Sequence, residues 1–148
     1  GLKTLAVRMK AHAEIALAVA TRLEAHPQVR RVFHPMLETH PDHALAKELM
    51  RCGTGNVTFE VKGGDVAALD LVDNMTLARS ATSLGGVESL VSLPFNSSHS
   101  SFTARQRAEM GIMPGCVRLS VGIEDPDDLI ADLDQAFDQI RPTREASA

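Results

Sequence analysis

One run of residues constrains this chain more than any other: Val117-Arg118-Leu119-Ser120-Val121-Gly122-Ile123-Glu124-Asp125. Val117, Leu119, Val121 and Ile123 alternate with Arg118, Ser120 and Gly122, so an extended strand here puts its large apolar side chains on one face. A helical pattern follows at once. Asp125 is placed to cap it, Pro126 to fill its first position, and Asp127 and Asp128 to suit the positive end of its dipole. Leu129, Ile130, Leu133, Ala136, Phe137 and Ile140 then recur at helical spacing as its buried face. A strand with one apolar face, joined directly to an amphipathic helix, predicts a sheet that carries its helices on that face.

The rest of the chain extends this pattern. Leu2, Leu5, Ala6, Met9, Ala13, Ala16, Leu17 and Ala20 predict a long amphipathic helix that stops before Pro27. Val29 to Phe33 reads as a short strand, and Asp42 is placed to cap a helix running to Met50. Val57-Thr58-Phe59-Glu60-Val61 alternates as a half-buried strand that Gly63-Gly64 breaks. Asp65 then caps a helix with Val66, Leu69, Val72 and Met75 inward. Leu77 to Thr82 and Leu90 to Phe95 read as extended pieces on either side of Ser83-Leu84-Gly85-Gly86. Thr103 with Gln106 predicts a capping box for a helix that ends at Gly111. The expected fold is α/β, a mostly antiparallel sheet with helices packed on one face, over residues 1–141. Residues 142–148 read as a polar tail.

Composition bears on what such a domain can bind. The chain has 148 residues, 44% of them hydrophobic, enough to bury a core. A formal net charge of −4 argues against nucleic acid as a partner. No apolar run is long enough for a bilayer, and no leader pattern opens the chain, so a cytoplasmic protein without a membrane partner is expected. Cys52 and Cys116 stand in no metal or redox spacing and are expected to be buried thiols. The chain starts without methionine, inside a helical pattern, and so is expected to be one piece of a longer protein. It has no Trp and no Tyr, so ring-walled pockets would need another domain.

Four groups of residues invite chemistry. Arg118 projects from the non-core face, with small Ser120 and Gly122 beside it. It is either a solvent-facing arginine, with or without a helix carboxylate beside it, or a planar fork for a ligand carboxylate. Ser83 before Gly85-Gly86 is either part of a plain turn or a hydroxyl and backbone amide brought close to a ligand. His34, His40 and His43 cluster in sequence, but two of them precede proline and no acidic or Cys partner completes a metal site; no metal is expected. His99 lies in the polar run from Asn96 to Ser101, a pocket lining or a loop. Lys3, Lys10, Lys47 and Lys62 sit in no context that suggests a desolvated Schiff-base amine, and no phosphate-binding loop is convincing.

Together these pieces resemble one family. Gly1-Leu2-Lys3-Thr4-Leu5 with Arg8-Met9 and His12 is similar to the opening of the C-terminal domain of the Cys/Met-metabolism pyridoxal-phosphate enzymes, the cystathionine γ-synthases and γ-lyases and their relatives. His40-Pro41 with His43 and Leu45-Ala46-Lys47, Ser83-Leu84-Gly85-Gly86-Val87-Glu88-Ser89-Leu90, and Arg118 to Asp125 resemble later motifs of that family. The resemblance implies the small C-terminal domain of an aspartate-aminotransferase-like, fold type I enzyme, with the cofactor domain absent. It implies that Arg118 binds the substrate α-carboxylate, that Ser83 assists it, that Thr82 faces the substrate side chain, and that Ser98 lies near the site. Many γ-lyases carry glutamate where Thr82 stands. The resemblance further implies pyridoxal phosphate and a dimer or tetramer for the full-length enzyme, a sulfur amino acid as substrate, and neither bound cofactor, catalytic residue nor activity in this chain alone. A stand-alone amino-acid-binding or dimerising module remains the alternative.

Overall fold

A computed structural model describes residues 1–141; the tail expected over 142–148 lies outside them. In chain order the elements are α1 (Leu5–Glu24), β1 (Val29–Phe33), α2 (His43–Leu49), β2 (Asn56–Val61), α3 (Gly64–Asn74), β3 (Arg79–Ser80), β4 (Leu90–Ser92), α4 (Ala104–Glu109), β5 (Cys116–Ser120) and α5 (Pro126–Asp138), with single 3-10 turns at Leu2–Thr4 and Pro94–Asn96. The strands form one five-stranded sheet in the order β1-β2-β5-β4-β3. β1–β2, β2–β5 and β5–β4 pair antiparallel, and β3–β4 pairs parallel.

The period-2 pattern decides which face is buried. Val57, Phe59 and Val61 of β2 and Val117 and Leu119 of β5 are fully buried against α1, α3 and α5. Burying a side chain of this size contributes roughly 1.5–3 kcal/mol each. On the opposite face the register sets Thr58, Arg118 and Ser92 in one row and Asn56 and Ser120 in the next. The mostly antiparallel sheet with helices on one face is the architecture that one-sided strands require.

The local signals hold where the partners are local. Asp125 accepts the amide of Asp127 at 2.9 Å, with Pro126 in the first turn of α5. Thr103 and Gln106 form the expected capping box on α4.

Corrections arise where tertiary packing chose differently. In α1, Leu2, Leu5, Met9 and Leu17 are exposed, and the buried stripe is His12, Ala13, Ile15, Ala16, Val19, Ala20 and Leu23, because the sheet meets only the later turns of the helix. In α3, Val66 and Leu69 are exposed while Ala67, Ala68 and Leu71 are buried, since small residues let the helix approach the sheet closely. Gly63, not Asp65, occupies the cap position of α3, and Asp65 accepts the amide of Gly115 at 2.8 Å instead. Asp42 stands at the N-cap of α2 without a side-chain cap bond.

The extended pieces shorten to Arg79–Ser80 and Leu90–Ser92. β5 ends at Ser120, and Ile123 turns outward. Cys52 is exposed, whereas Cys116 is buried. Arg141, at the end of the described residues, is bound to Asp70 at 2.6 Å.

Candidate functional site

Two segments far apart in sequence are tied together on the non-core side of the sheet. Glu124 accepts the amide of Ser89 at 2.6 Å and its hydroxyl at 2.8 Å. The Ser89 hydroxyl oxygen in turn accepts the amide of Gly122 at 2.9 Å. The amide of Ile123 donates to the Val87 carbonyl at 2.9 Å. Gly122 permits this approach: a Cβ there would lie 2.3 Å from the Val87 carbonyl oxygen. The turn after β5 is thereby the dock for the end of the 82–89 loop.

Arg118 holds the start of that loop. Its Nη2 donates to the carbonyls of Thr82 at 3.2 Å and Ser83 at 3.0 Å. Its Nε is buried with no hydrogen-bond partner, and no carboxylate among the described residues pairs with it. Among the described residues no helix carboxylate pairs with Arg118, which leaves an unpaired arginine on the outer face of the strand and a fork for a ligand carboxylate as the two readings. The middle of the loop is held from α1. Arg8 Nε donates to the Gly85 carbonyl at 3.3 Å, and His12 Nε2 bonds the Gly86 carbonyl at 2.9 Å. Gly85 has φ +79°, which a side chain would strain.

These bonds orient the backbone. A carbonyl and the following N–H lie in one trans peptide plane and point in opposite directions. Drawing the carbonyls of Thr82, Ser83, Gly85 and Gly86 toward Arg118, Arg8 and His12 turns the N–H groups of Ser83, Leu84, Gly86 and Val87 away from them. Among the described residues, none of the main-chain N–H groups of 82–88 donates to a protein acceptor. Unspent backbone donors next to a guanidinium are chemistry for an anion.

The residues expected from sequence are partly brought together. Arg118, Thr82 and Ser83 meet; Ser98 does not join them by any hydrogen bond, and its hydroxyl lies 2.8 Å from Nδ1 of His99, which packs on Phe102. Sequence reading gave Arg8, His12 and Glu124 no role of their own. An arginine and a histidine four residues apart on one helix face were the available signal. The three clustered histidines are each engaged with backbone: His34 Nε2 with the Thr54 carbonyl, His43 Nδ1 with the Pro35 carbonyl, and His40 Nδ1 with the Asp42 amide.

The residues of this chain do not fit pyridoxal phosphate. A Schiff-base lysine is held out of water, whereas Lys3, Lys10, Lys47 and Lys62 are all exposed. Lys62 donates to the Pro27 carbonyl at 2.6 Å, and Lys10 faces Glu14 at 3.9 Å. The Gly63-Gly64 turn carries Asp65 in the first turn of α3, a negative charge where a phosphate would sit.

The comparisons with known proteins agree with one another. Residues 1–138 match the family model described as Cys/Met metabolism PLP-dependent enzyme. The chain is 48% identical over 139 residues to a cystathionine gamma-lyase of Dictyostelium discoideum, covering 94% of this chain and 36% of that protein. It is 44% identical to an L-methionine gamma-lyase of Pseudomonas deceptionensis, covering 93% and 34%. The crystal structure of a cystathionine gamma-synthase of Xanthomonas oryzae pv. oryzae in complex with cystathionine superposes with a TM-score of 0.88 at 41% identity, covering 95% of this chain and 36% of that one. A cystathionine gamma-lyase structure from Micromonospora echinospora gives 0.87 at 42% identity, covering 93% and 36%. The chain thus spans about a third of the length of these relatives.

Proposed function

The chain belongs to the Cys/Met-metabolism family of PLP-dependent enzymes, and on that premise we propose that residues 1–141 are the C-terminal substrate-binding domain of such an enzyme, with Arg118 as the receptor for the α-carboxylate of a sulfur amino acid. One observation carries the reading. Arg118 is tethered through Nη2 to the Thr82 and Ser83 carbonyls, keeps a buried Nε without a partner, and has no carboxylate beside it among the described residues. A guanidinium held in place by carbonyls is oriented without being neutralised, which suits an incoming carboxylate.

In this reading the Ser83 segment adds backbone or hydroxyl donors to the same carboxylate, Thr82 faces the substrate's distal portion, and Ser98 borders the site. The full-length protein acts as a lyase or transferase of cysteine and methionine metabolism in the cytoplasm, as a dimer or tetramer. Pyridoxal phosphate, held by a domain outside this chain, supplies the electron sink. The part played by this chain is to fix the carboxylate and so the direction in which the α-carbon is presented. By itself it binds no cofactor and turns over nothing.

The test is Arg118→Ala in the full-length enzyme, assayed with L-cystathionine and L-methionine. Losing a charge-assisted bond of roughly 1.5–3 kcal/mol raises KM about ten- to hundredfold while the cofactor absorbance stays. Arg118→Lys recovers only part, because an ammonium lacks the fork. Unchanged kinetics in Arg118→Ala would refute the assignment.

A further inference from the structure

We propose that His12, with Arg8 as a second tether, is a positioning residue that holds the 82–86 loop in its anion-accepting form; this rests on the reading that this loop and Arg118 receive the substrate carboxylate. His12 is 1% exposed, on the buried face of α1. A carbonyl can only accept, so the 2.9 Å contact with Gly86 means that Nε2 carries the ring proton.

The imidazole is wedged from behind. A Cβ on Gly55 would come within 2.9 Å of the His12 Cβ, and the Gly55 carbonyl accepts the amide of Val121 at 2.8 Å, one residue past β5. His12 therefore spans the gap between the sheet and the loop, and the sheet fixes its reach. Arg8, one turn earlier, takes the Gly85 carbonyl and is also bound to the Gly1 carbonyl and the Thr4 hydroxyl.

Two adjacent peptide planes are thus pinned from α1, as two others are pinned from Arg118. If the His12 bond is lost, the Gly86 carbonyl is free to rotate, and with it the N–H of Val87 in the same plane. Gly85 and Gly86 impose little resistance to such rotation. The expected consequence is a loop that still exists but no longer presents its donors as a set. His12 touches no substrate in this scheme and acts through the loop.

The experiment uses the full-length holoenzyme with L-cystathionine and L-methionine. His12→Leu conserves most of the volume and removes the donor; His12→Gln returns an N–H near the position of Nε2. The expected result is a KM about three- to tenfold higher in His12→Leu, with kcat and the cofactor spectrum near wild type, and recovery toward wild type in His12→Gln. A role in packing alone moves stability and leaves KM in place, and equal KM values in wild type and His12→Leu overturn the proposal. If Arg118→Ala raises KM while His12→Leu does not, this inference fails and the carboxylate reading stands; if Arg118→Ala leaves KM unchanged, that reading itself fails. Should His12→Leu not accumulate as folded enzyme, Arg8→Met decides. A raised KM there supports the tether, and an unchanged KM refutes it.

Discussion

Replacing Asp132 should damage this domain more than its place in a helix suggests. Asp132 is 5% exposed, within the apolar stripe of α5. Its Oδ1 accepts the Thr76 amide at 2.8 Å and the Thr76 hydroxyl at 2.7 Å; its Oδ2 accepts the amides of Leu77 at 3.0 Å and Ala78 at 3.3 Å. One carboxylate thus caps the turn that leads from α3 into β3. In Asp132→Ala, Thr76 lies at the surface and can turn to water, but the Leu77 and Ala78 amides are half-buried and buried. Two stranded donors at roughly 1–3 kcal/mol each give a loss of about 2–4 kcal/mol after partial relaxation. With a urea slope of about 2 kcal/mol/M, the unfolding midpoint falls by about 1–2 M.

The pH dependence is a second readout of the same residue. Burial alone would raise the Asp132 carboxyl, but the bonds from Thr76, Leu77 and Ala78 hold it below its ordinary value of 3.8. A carboxyl depressed in the folded state stabilises fully above the unfolded value and loses that contribution as pH falls through the folded one. Asp132→Asn should therefore be less stable at pH 7 and lack this part of the acid-side decline. Urea unfolding followed by circular dichroism from pH 2 to 7 measures both. A midpoint for Asp132→Ala within about 0.2 M of wild type, or an acid limb unchanged in Asp132→Asn, would refute the reasoning.

Two further outcomes follow from buried groups. His34 is fully buried, with Nε2 on the Thr54 carbonyl and Nδ1 accepting the Met36 amide at 3.3 Å. Burial lowers its pKa below 6.5 despite the Thr54 bond, so stability is full above 6.5 and falls as pH drops from there through the folded value. NMR titration should place His34 below an exposed histidine, and His34→Gln should flatten the stability profile on the acid side of pH 6.5. For the thiols, Cys52 is exposed while burial pushes Cys116 up to about 11. Maleimide at pH 7.5 should modify Cys52 quickly in the folded chain and Cys116 only in urea; rapid labelling of a Cys52→Ser variant would contradict this.

How much was legible beforehand depended on how local the cause was. The alternation around Phe59 and Leu119, the Thr103–Gln106 box and the Asp125-Pro126 start are decided by residues a few positions apart, and they appear as read. The stripe of α1 was misplaced at Leu2, Leu5 and Met9 because periodicity reports which residues share a face, not how far along the helix the sheet extends. In α3 the small Ala67 and Ala68 were overlooked in favour of Val66 and Leu69, since close helix–sheet approach rewards small size as well as hydrophobicity. Arg118 could be placed on the non-core face from its neighbours, but nothing local says that its guanidinium reaches Thr82 and Ser83.

Sequence by itself therefore determined the element types, the one-sidedness of the sheet and, through motif resemblance, the family. The tertiary structure alone decided the strand order, the burial of Asp132 under the 76–78 turn, and the grip of Arg8, His12 and Arg118 on one loop. Those contacts join residues tens of positions apart. A hydrogen bond across such a distance leaves no periodicity in the chain, because its geometry is set by packing of the elements that carry each partner.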